Sequence, residues 1–189
     1  QTANDFPDVT TASNTTERDW RETNEEFCKP GGIDTNLLLW LKADDGGTDW
    51  RDLSNNYETV TEIGTLNSGS NINFNPSNFF DGTDYYNTSL SINADTYQDL
   101  AVIVVYQPAA DNAGAVWGED NGGFDRYMLD ADGLSENNAI SNGTGTEADI
   151  AGLYSALTTT MSTIIFDEDQ GGGSSVSING RNTLSFTSD

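Results

Sequence analysis

The apolar residues of this chain come in short runs, and these runs are separated by Gly, Pro, Asn and Asp. The clearest run is DLAVIVVYQP at residues 99–108, which is rich in β-branched side chains and stops at Pro108. Runs of this composition are typical of β-strands, and many of them separated by turn residues are typical of an antiparallel sandwich. The sequence therefore predicts an all-β protein, and 189 residues suit one domain.

Similar patterns predict further strands along the chain. The run LLLWL at residues 37–41, bounded by Asn36 and by Gly46-Gly47, indicates a buried strand. The pair Asn179-Gly180 favours a type I′ hairpin turn. Residues 130–145 have the composition of a loop, and residues 148–157 fit a short helix or an irregular strand equally well. The remaining predicted strands are residues 57–63, 115–118, 126–129, 158–166, 175–181 and 183–186.

The first 30 residues differ from the rest, because their few apolar side chains follow neither a helical nor an alternating pattern. We expect residues 1–30 to form an extended arm and residues 31–189 to form the folded domain. The boundary is the sequence Lys29-Pro30-Gly31-Gly32, which is typical of a linker. Because the first residue is Gln1 rather than Met, we expect a secreted chain from which a signal peptide has been removed.

Charge narrows the choice of partners. The chain has 31 acidic and 7 basic residues, a net charge of −24. Such a surface repels phosphate groups, so we expect neither nucleic-acid binding nor insertion into an anionic membrane. Cations, neutral glycans and basic surfaces are the favoured partners, and the expected location is extracellular or at the cell surface. The simpler alternative is that the charge only keeps the protein soluble in a salty or crowded exterior.

The sequence contains no histidine and a single cysteine, Cys28. These counts exclude Ser-His-Asp and Cys-His catalysis and histidine-ligated zinc. One cysteine also provides no internal disulfide and no thiolate metal cluster.

Five segments resemble a known family. They are GGIDTNLLLWLKAD at 31–44, INFNPSNFFDGTDYY at 72–86, DLAVIVVYQP at 99–108, DRYMLDADG at 125–133 and TIIFDEDQGGGSSVSINGR at 163–181. In this order they resemble the laminin-G-like, concanavalin A-like jelly-roll modules of Bacteroidota cell-surface proteins. The resemblance implies a jelly-roll sandwich that serves adhesion without catalysis, and many members carry calcium near a loop edge.

The resemblance is incomplete at the end of the chain, because the family continues with a further strand after the position of Phe186, whereas this chain ends at Asp189. Either the chain was cut before that strand, or the sandwich lacks its last strand. An open sheet edge can be filled by strand addition, and the arm is long enough to act as the donor. This implies a possible homo-oligomer or filament.

Calcium is the expected cofactor, because it binds six to eight oxygens and a glycine-containing loop can turn carbonyls inward. The carboxylates that we expect to bind it are Asp44, Asp45, Asp49, Asp52 and Asp81. The alternatives are a solvated loop in which Arg51 pairs with a neighbouring aspartate, and a turn in which Asp81 caps backbone amides.

Aromatic rings can stack on the C–H faces of sugars, so exposed aromatic residues near the acidic loops are candidate ligand-binding residues. The aromatic candidates are Trp50, Tyr85 and Tyr86, and two carboxylates, Asp167 and Asp169, are further ligand-binding candidates. The last two lie next to a glycine turn and share a face, as do paired carboxylates in some sandwich glycosidases. Those enzymes need two closely spaced carboxyl groups, usually glutamates, and their Glu-x-Asp-x-x-Glu signature is absent here.

The residues and the resemblance together predict an extracellular adhesion module that is not an enzyme and that binds a glycan or a cell-surface partner. One alternative is a structural subunit of a filament or stalk, assembled by strand exchange through residues 1–30. The other is a carbohydrate-active enzyme whose activity depends on Glu119 or Glu168.

Overall fold

The computed structural model is all-β and antiparallel, and no helix occurs in the residues that it describes. This confirms the predicted fold class at that level. The predicted arm, residues 1–30, lies outside the described part. The described residues are 33, 35–43, 50–72, 74–93, 96–108, 114–119, 126–130, 137–142, 148–151, 158–167 and 174–186.

Twelve strands are formed by these residues. They are β1 (Val60–Ile63), β2 (Asn67–Ser68), β3 (Asn78–Phe79), β4 (Tyr85–Thr88), β5 (Leu100–Tyr106), β6 (Gly114–Gly118), β7 (Arg126–Asp130), β8 (Asn137–Asn142), β9 (Ala148–Ala151), β10 (Thr160–Phe166), β11 (Ser175–Ile178) and β12 (Arg181–Ser185).

The chain divides into two compact units. Unit 1 comprises Gln1–Gly69 and Asn78–Leu90, and unit 2 comprises Ser70–Ser77 and Ser91–Asp189.

Unit 2 contains two four-stranded sheets, with strand orders β12-β11-β10-β5 and β6-β7-β8-β9. The β5 and β10 strands pair along their full length, from Leu100 opposite Phe166 to Tyr106 opposite Thr160. The turn between β11 and β12 has Asn179 and Gly180 at φ values of 52° and 67°. Two successive residues with positive φ define a type I′ turn, so the predicted hairpin is confirmed.

The core of unit 2 takes side chains from both of these sheets. Met128 and Ile140 come from β7 and β8, and the hydroxyl of Ser162 on β10 lies 3.5 Å from the sulfur of Met128. Trp117 and Phe186 pack edge-on against the ring of Phe166, at centroid distances of 6.2 and 6.1 Å. The other buried members of this core are Ile164, Val176 and Ile178.

A fully buried arginine on β7 ties the segment before β5 to this core. The guanidinium of Arg126 donates hydrogen bonds to the backbone carbonyls of Tyr97 and Gln98, and it lies 4.6 Å from the centroid of the Phe166 ring. A planar cation above an aromatic face is a favourable arrangement. The single side chain therefore satisfies carbonyls of an irregular segment and packs against the core at the same time.

Unit 1 is built from two short pairings, β1 with β4 and β2 with β3. The chain turns a corner at Asp81-Gly82, since β3 and β4 pair with different strands. Gly82 has a φ of 94°, which a glycine adopts without steric cost.

The prediction of a buried strand at residues 37–41 was wrong. These residues are irregular and half-buried, and their backbone is bound by polar groups from farther along the chain. Asn56 donates from its amide to the carbonyls of Leu37 and Leu38, at 2.8 and 2.9 Å. The N–H of Trp40 donates to Asp52. These side chains take the place of the backbone hydrogen bonds that a neighbouring strand would supply. The apolar run therefore does not form a β-strand.

Three other predictions need correction or refinement. The loop predicted at residues 130–145 contains the strand β8, because Ile140 packs into the core of unit 2 although most of the strand is polar. Residues 148–151 form a strand and not a helix. The strand predicted from Tyr57 begins only at Val60, because Tyr57 has a φ of 55°, outside the β region.

No helix among the described residues has the length and apolar character that crossing a membrane requires.

Candidate functional site

Three aromatic side chains of unit 1 pack together, and we call Trp50, Phe80 and Tyr86 the aromatic cluster. The rings of Trp50 and Tyr86 are stacked, with centroids 4.7 Å apart and planes inclined by 15°. Phe80 lies edge-on to both, at centroid distances of 6.2 and 5.9 Å. Stacked and edge-on arrangements are the geometries that aromatic pairs prefer. Two of the predicted ligand-binding residues, Trp50 and Tyr86, are thus brought together from positions 36 residues apart.

One side chain of the aromatic cluster is exposed to solvent, and polar groups lie beside the rings. Phe80 is 41% exposed, while Trp50 and Tyr86 are half-buried. The amide of Asn78 donates a hydrogen bond of 3.0 Å to the hydroxyl of Tyr86. A sugar has C–H faces, which pack on apolar rings, and hydroxyl groups, which bind amides, hydroxyls and carboxylates. The aromatic cluster combines such rings with an amide, a hydroxyl and the nearby Asp81 turn.

Sequence reasoning did not select Phe80 or Asn78. The signal in the sequence was the aromatic pair at residues 79–80 directly before the Asp-Gly turn. A turn brings the end of β3 and the start of β4 near each other, which places Phe80 beside Tyr86. The partnership with Trp50 has no local signal.

Tyr85 faces away from the aromatic cluster, because successive residues of a strand point to opposite faces. It is 54% exposed and lies opposite Ile63 of β1, which is 37% exposed. Tyr85 and Ile63 therefore form a separate exposed apolar pair.

Asp81 caps its own turn. Its Oδ1 accepts hydrogen bonds from the hydroxyl of Thr83, at 2.7 Å, and from the N–H of Thr83, at 2.8 Å. These two bonds hold the pKa of Asp81 below its ordinary value of 3.8, although desolvation raises it. The sequence left open a metal ligand and a backbone cap, and the geometry of this exposed carboxylate is that of a cap.

Asp52 is buried, being 7% exposed, and its carboxylate accepts four hydrogen bonds. Oδ1 accepts from the N–H groups of Trp40 and Ser54, at 3.0 and 2.8 Å. Oδ2 accepts from the hydroxyl of Ser54, at 2.6 Å, and from the N–H of Glu58, at 2.8 Å. A carboxylate has about four lone-pair positions, so all of them serve donors of the protein itself.

Burial raises the pKa of Asp52, but the hydrogen bonds outweigh it. The bonds from the Ser54 hydroxyl and from the backbone N–H groups of Trp40, Ser54 and Glu58 hold the pKa below the ordinary value of 3.8. Each bond stabilises the charged form of the carboxylate. Asp52 is therefore an ionised residue that connects the segment around Trp40 to the residues before β1.

The other predicted site residues are not assembled in the described part of the chain. Asp44, Asp45, Asp49 and Asp169 lie outside it. Asp167 directly follows β10, is half-buried, and donates from its N–H to the hydroxyl of Ser174, at 3.1 Å. Among the described residues no three His, Cys, Asp or Glu side chains are grouped closely enough to hold a metal ion. Calcium binding stays a prediction.

Glu119, one of the two glutamates of the enzyme alternative, is bound to the backbone of its own unit. Its carboxylate accepts hydrogen bonds from the hydroxyl of Ser91, at 2.9 Å, and from the N–H of Ile92. Its N–H also donates to the carbonyl of Arg126, at 2.9 Å. The other glutamate, Glu168, lies outside the described residues.

Comparison with known proteins gives no match for this chain, whether to a protein-family model, to a curated protein or to a solved structure.

Proposed function

We propose that this protein is an extracellular, non-catalytic adhesion module that binds a neutral glycan at the aromatic cluster. One observation carries the proposal: Trp50 and Tyr86 are stacked, and Phe80 stands beside them with 41% of its surface exposed. An exposed ring held in a fixed position offers a large contact area at low cost in conformational entropy.

The surroundings of the aromatic cluster fit an uncharged ligand better than an anionic one. Asn78 and the Tyr86 hydroxyl lie beside the rings, and the carboxylate of Asp81 follows Phe80 directly. These groups can bind sugar hydroxyls as donors and acceptors. At a net charge of −24 the protein repels anions, so a neutral glycan can approach without an electrostatic barrier.

The proposed fold is a concanavalin A-like jelly-roll sandwich in the part of the chain that forms unit 2. Its support is the single core to which β7 and β8 of one sheet and β10 and β11 of the other contribute buried side chains. Two antiparallel sheets that bury a common set of residues are the defining feature of a sandwich.

The experiment is a screen of the purified chain on an array of neutral glycans, followed by calorimetric titration of the ligands found. Phe80→Ala should weaken binding at least tenfold, because it removes the exposed ring. Phe74→Ala is the matched control, since Phe74 is 99% exposed and belongs to unit 2, and it should leave the affinity unchanged. Silence on the array, or equal affinity of both variants, would contradict the proposed site. Hydrolysis of the bound glycan would contradict the non-catalytic part.

We also propose that calcium binds at the acidic loop of Asp44, Asp45 and Asp49, and this part of the proposal rests on the sequence alone. A thermal melt in calcium and in chelator tests it separately from the glycan. We expect calcium to raise Tm, since a ligand that binds only the folded state stabilises it. The matched variant is Asp45→Asn, which should remove the shift, and an unchanged Tm of the wild-type chain would remove calcium from the account.

A further inference from the structure

The sheet that contains β5 and β10 has an exposed apolar face. Ile103 is 63% exposed, Val105 57%, Met161 38% and Ile165 45%. The strand register places Val105 opposite Met161 and Ala101 opposite Ile165, on the side away from the buried Ile164 and Phe166. We call Ala101, Ile103, Val105, Met161 and Ile165 the outer patch.

The outer patch continues onto uncharged positions of β10 and β11. Thr163 lies opposite Ile103, and Ser175 and Ser177 of β11 lie opposite Ile165 and Thr163 on the same face. None of these positions on β5, β10 and β11 carries an ionisable group, although acidic residues make up 31 of the 189 residues. The paired positions of this face are therefore uncharged, and Asp99 and Asp167 flank them only at one end of β5 and β10.

A strand with both faces apolar is typical of a sheet that is covered on both sides, whereas an antiparallel sheet with one wet face shows polar residues there. β5 has the sequence LAVIVVY, in which both faces are apolar. Its inner face packs against the core of unit 2 through Leu100, Val102 and Tyr106. The composition of its outer face therefore indicates that this face is covered as well.

We infer that a second copy of this chain covers the outer patch, face to face, in a symmetric dimer. Two features favour a copy over a different partner. The outer patch itself offers a cationic partner no carboxylate, and a flat, neutral, apolar patch is complementary to itself under twofold symmetry. The register of β5 with β10 is unbroken over seven residue pairs, so the sheet surface is regular and can pack against its copy as two sheets pack in a protein.

The area of the outer patch determines how strong the dimer is. The exposed fractions correspond to roughly 400 Å² of apolar surface, which is within the range of patches that are functional on monomers. A standard interface buries about 800 Å² on each partner. The dimer is therefore weak and reversible, and two chains that each carry a net charge of −24 repel each other until salt screens them.

The test is sedimentation velocity of the full chain over a range of concentrations at low and high NaCl. We expect a monomer–dimer equilibrium whose dissociation constant falls several-fold as NaCl rises. Ile103→Glu should abolish the dimer, because it places like charges within the interface. Ile63→Glu is the matched control, an exposed isoleucine of unit 1, and should leave the equilibrium unchanged.

Charge complementation makes the test specific for this face. Ile103→Glu and Ile103→Lys should each be monomeric alone and should form a heterodimer when mixed. Circular dichroism and thermal melts of each variant establish that it is folded. The inference is overturned by a wild-type chain that stays monomeric at every concentration and salt level, or by a dimer that survives Ile103→Glu. A dimer lost on deletion of residues 1–30 would instead indicate strand exchange through the arm and would also overturn it.

Discussion

At the scale of single residues, Asp52 makes more hydrogen bonds than Asp81, the other candidate metal ligand that the structure describes. It binds three backbone N–H groups and one hydroxyl from segments on both sides of it in the sequence. The segment around Trp40 has no strand partner among the described residues, so Asp52 supplies part of what a ladder would provide. This makes Asp52 a determinant of the fold of unit 1.

We expect Asp52→Asn to lower the free energy of unfolding by about 2–3 kcal/mol. The amide has one acceptor oxygen where the carboxylate has two, and its NH₂ group faces an N–H donor instead of accepting from it. Urea unfolding at neutral pH measures the change. Asp81→Asn is the control, because Asp81 is an exposed turn cap, and it should change stability little.

The effect of Asp52→Asn on stability should depend on pH in a defined way. Because the pKa of Asp52 is lowered on folding, its contribution is fully present above 3.8 and is lost as the pH falls through the pKa of the folded state. The stability difference between the wild-type chain and Asp52→Asn should therefore be constant above pH 4 or so and should shrink in more acidic solution. A difference that grows on acidification would contradict the assigned role.

Two glycines of unit 1 form a matched pair for a second prediction. Gly64 and Gly82 have φ values of 93° and 94°, and a Cβ on Gly82 meets nothing within 4 Å, whereas a Cβ on Gly64 collides with Asp84 Oδ1. Gly82→Ala should cost about 1–2 kcal/mol from the left-handed backbone alone. Gly64→Ala should cost about 1–3 kcal/mol more, because overpacking is added.

Chemical unfolding of the two variants measures the excess cost. In an Asp84→Ala background most of the excess should disappear, since the colliding oxygen is then absent. Equal costs for both glycines in the wild-type background would show that the contact with Asp84 is not limiting.

At the scale of elements, Arg126 on β7 holds the segment before β5 against the core of unit 2. Arg126→Lys keeps the charge but loses the planar group that reaches the carbonyls of Tyr97 and Gln98 and covers Phe166. We expect a loss of about 2–4 kcal/mol in the free energy of unfolding, measured by urea denaturation. Arg181→Lys is the control, since Arg181 is exposed on β12. Equal, small effects of both substitutions would contradict the structural role of Arg126.

The strands that the sequence predicted correctly are those whose evidence is local. β5 and β10 are rich in β-branched residues, and Asn179-Gly180 has the local preference for positive φ that a type I′ turn requires. The errors came from long-range partners. Residues 37–41 look like a strand, yet Asp52 and Asn56 bind their backbone from 12 to 19 positions away. β8 looks like a loop, yet Ile140 is held in the core.

The candidate site could be predicted only in part for the same reason. Trp50 and Tyr86 were selected because exposed aromatics near acidic turns are typical of sugar binding. That they stack on one another, and that Phe80 completes the aromatic cluster, depends on a contact across 36 residues, for which the sequence has no pattern. Tyr85, adjacent to Tyr86, points to the other face because of strand alternation.

At the scale of the whole molecule, the charge of −24 sets the response to salt. Like charges repel more strongly in the compact state than in the unfolded chain, and salt screens them. Raising NaCl from low concentration to about 0.5 M should therefore raise Tm by about 3–6 °C. KCl should act equally, because screening does not depend on the identity of the cation. A Tm that falls or stays constant would contradict this.

The central claim is that a neutral glycan binds at the aromatic cluster, and the indole N–H signal of Trp50 tests it most directly. The chain has four tryptophans, and Trp50→Phe identifies this signal in a proton–nitrogen correlation spectrum. During titration with an array-selected neutral glycan, the Trp50 signal should shift in proportion to saturation, while that of Trp117, which packs against Phe166, stays in place. Saturable binding that leaves the Trp50 signal unmoved would contradict the account.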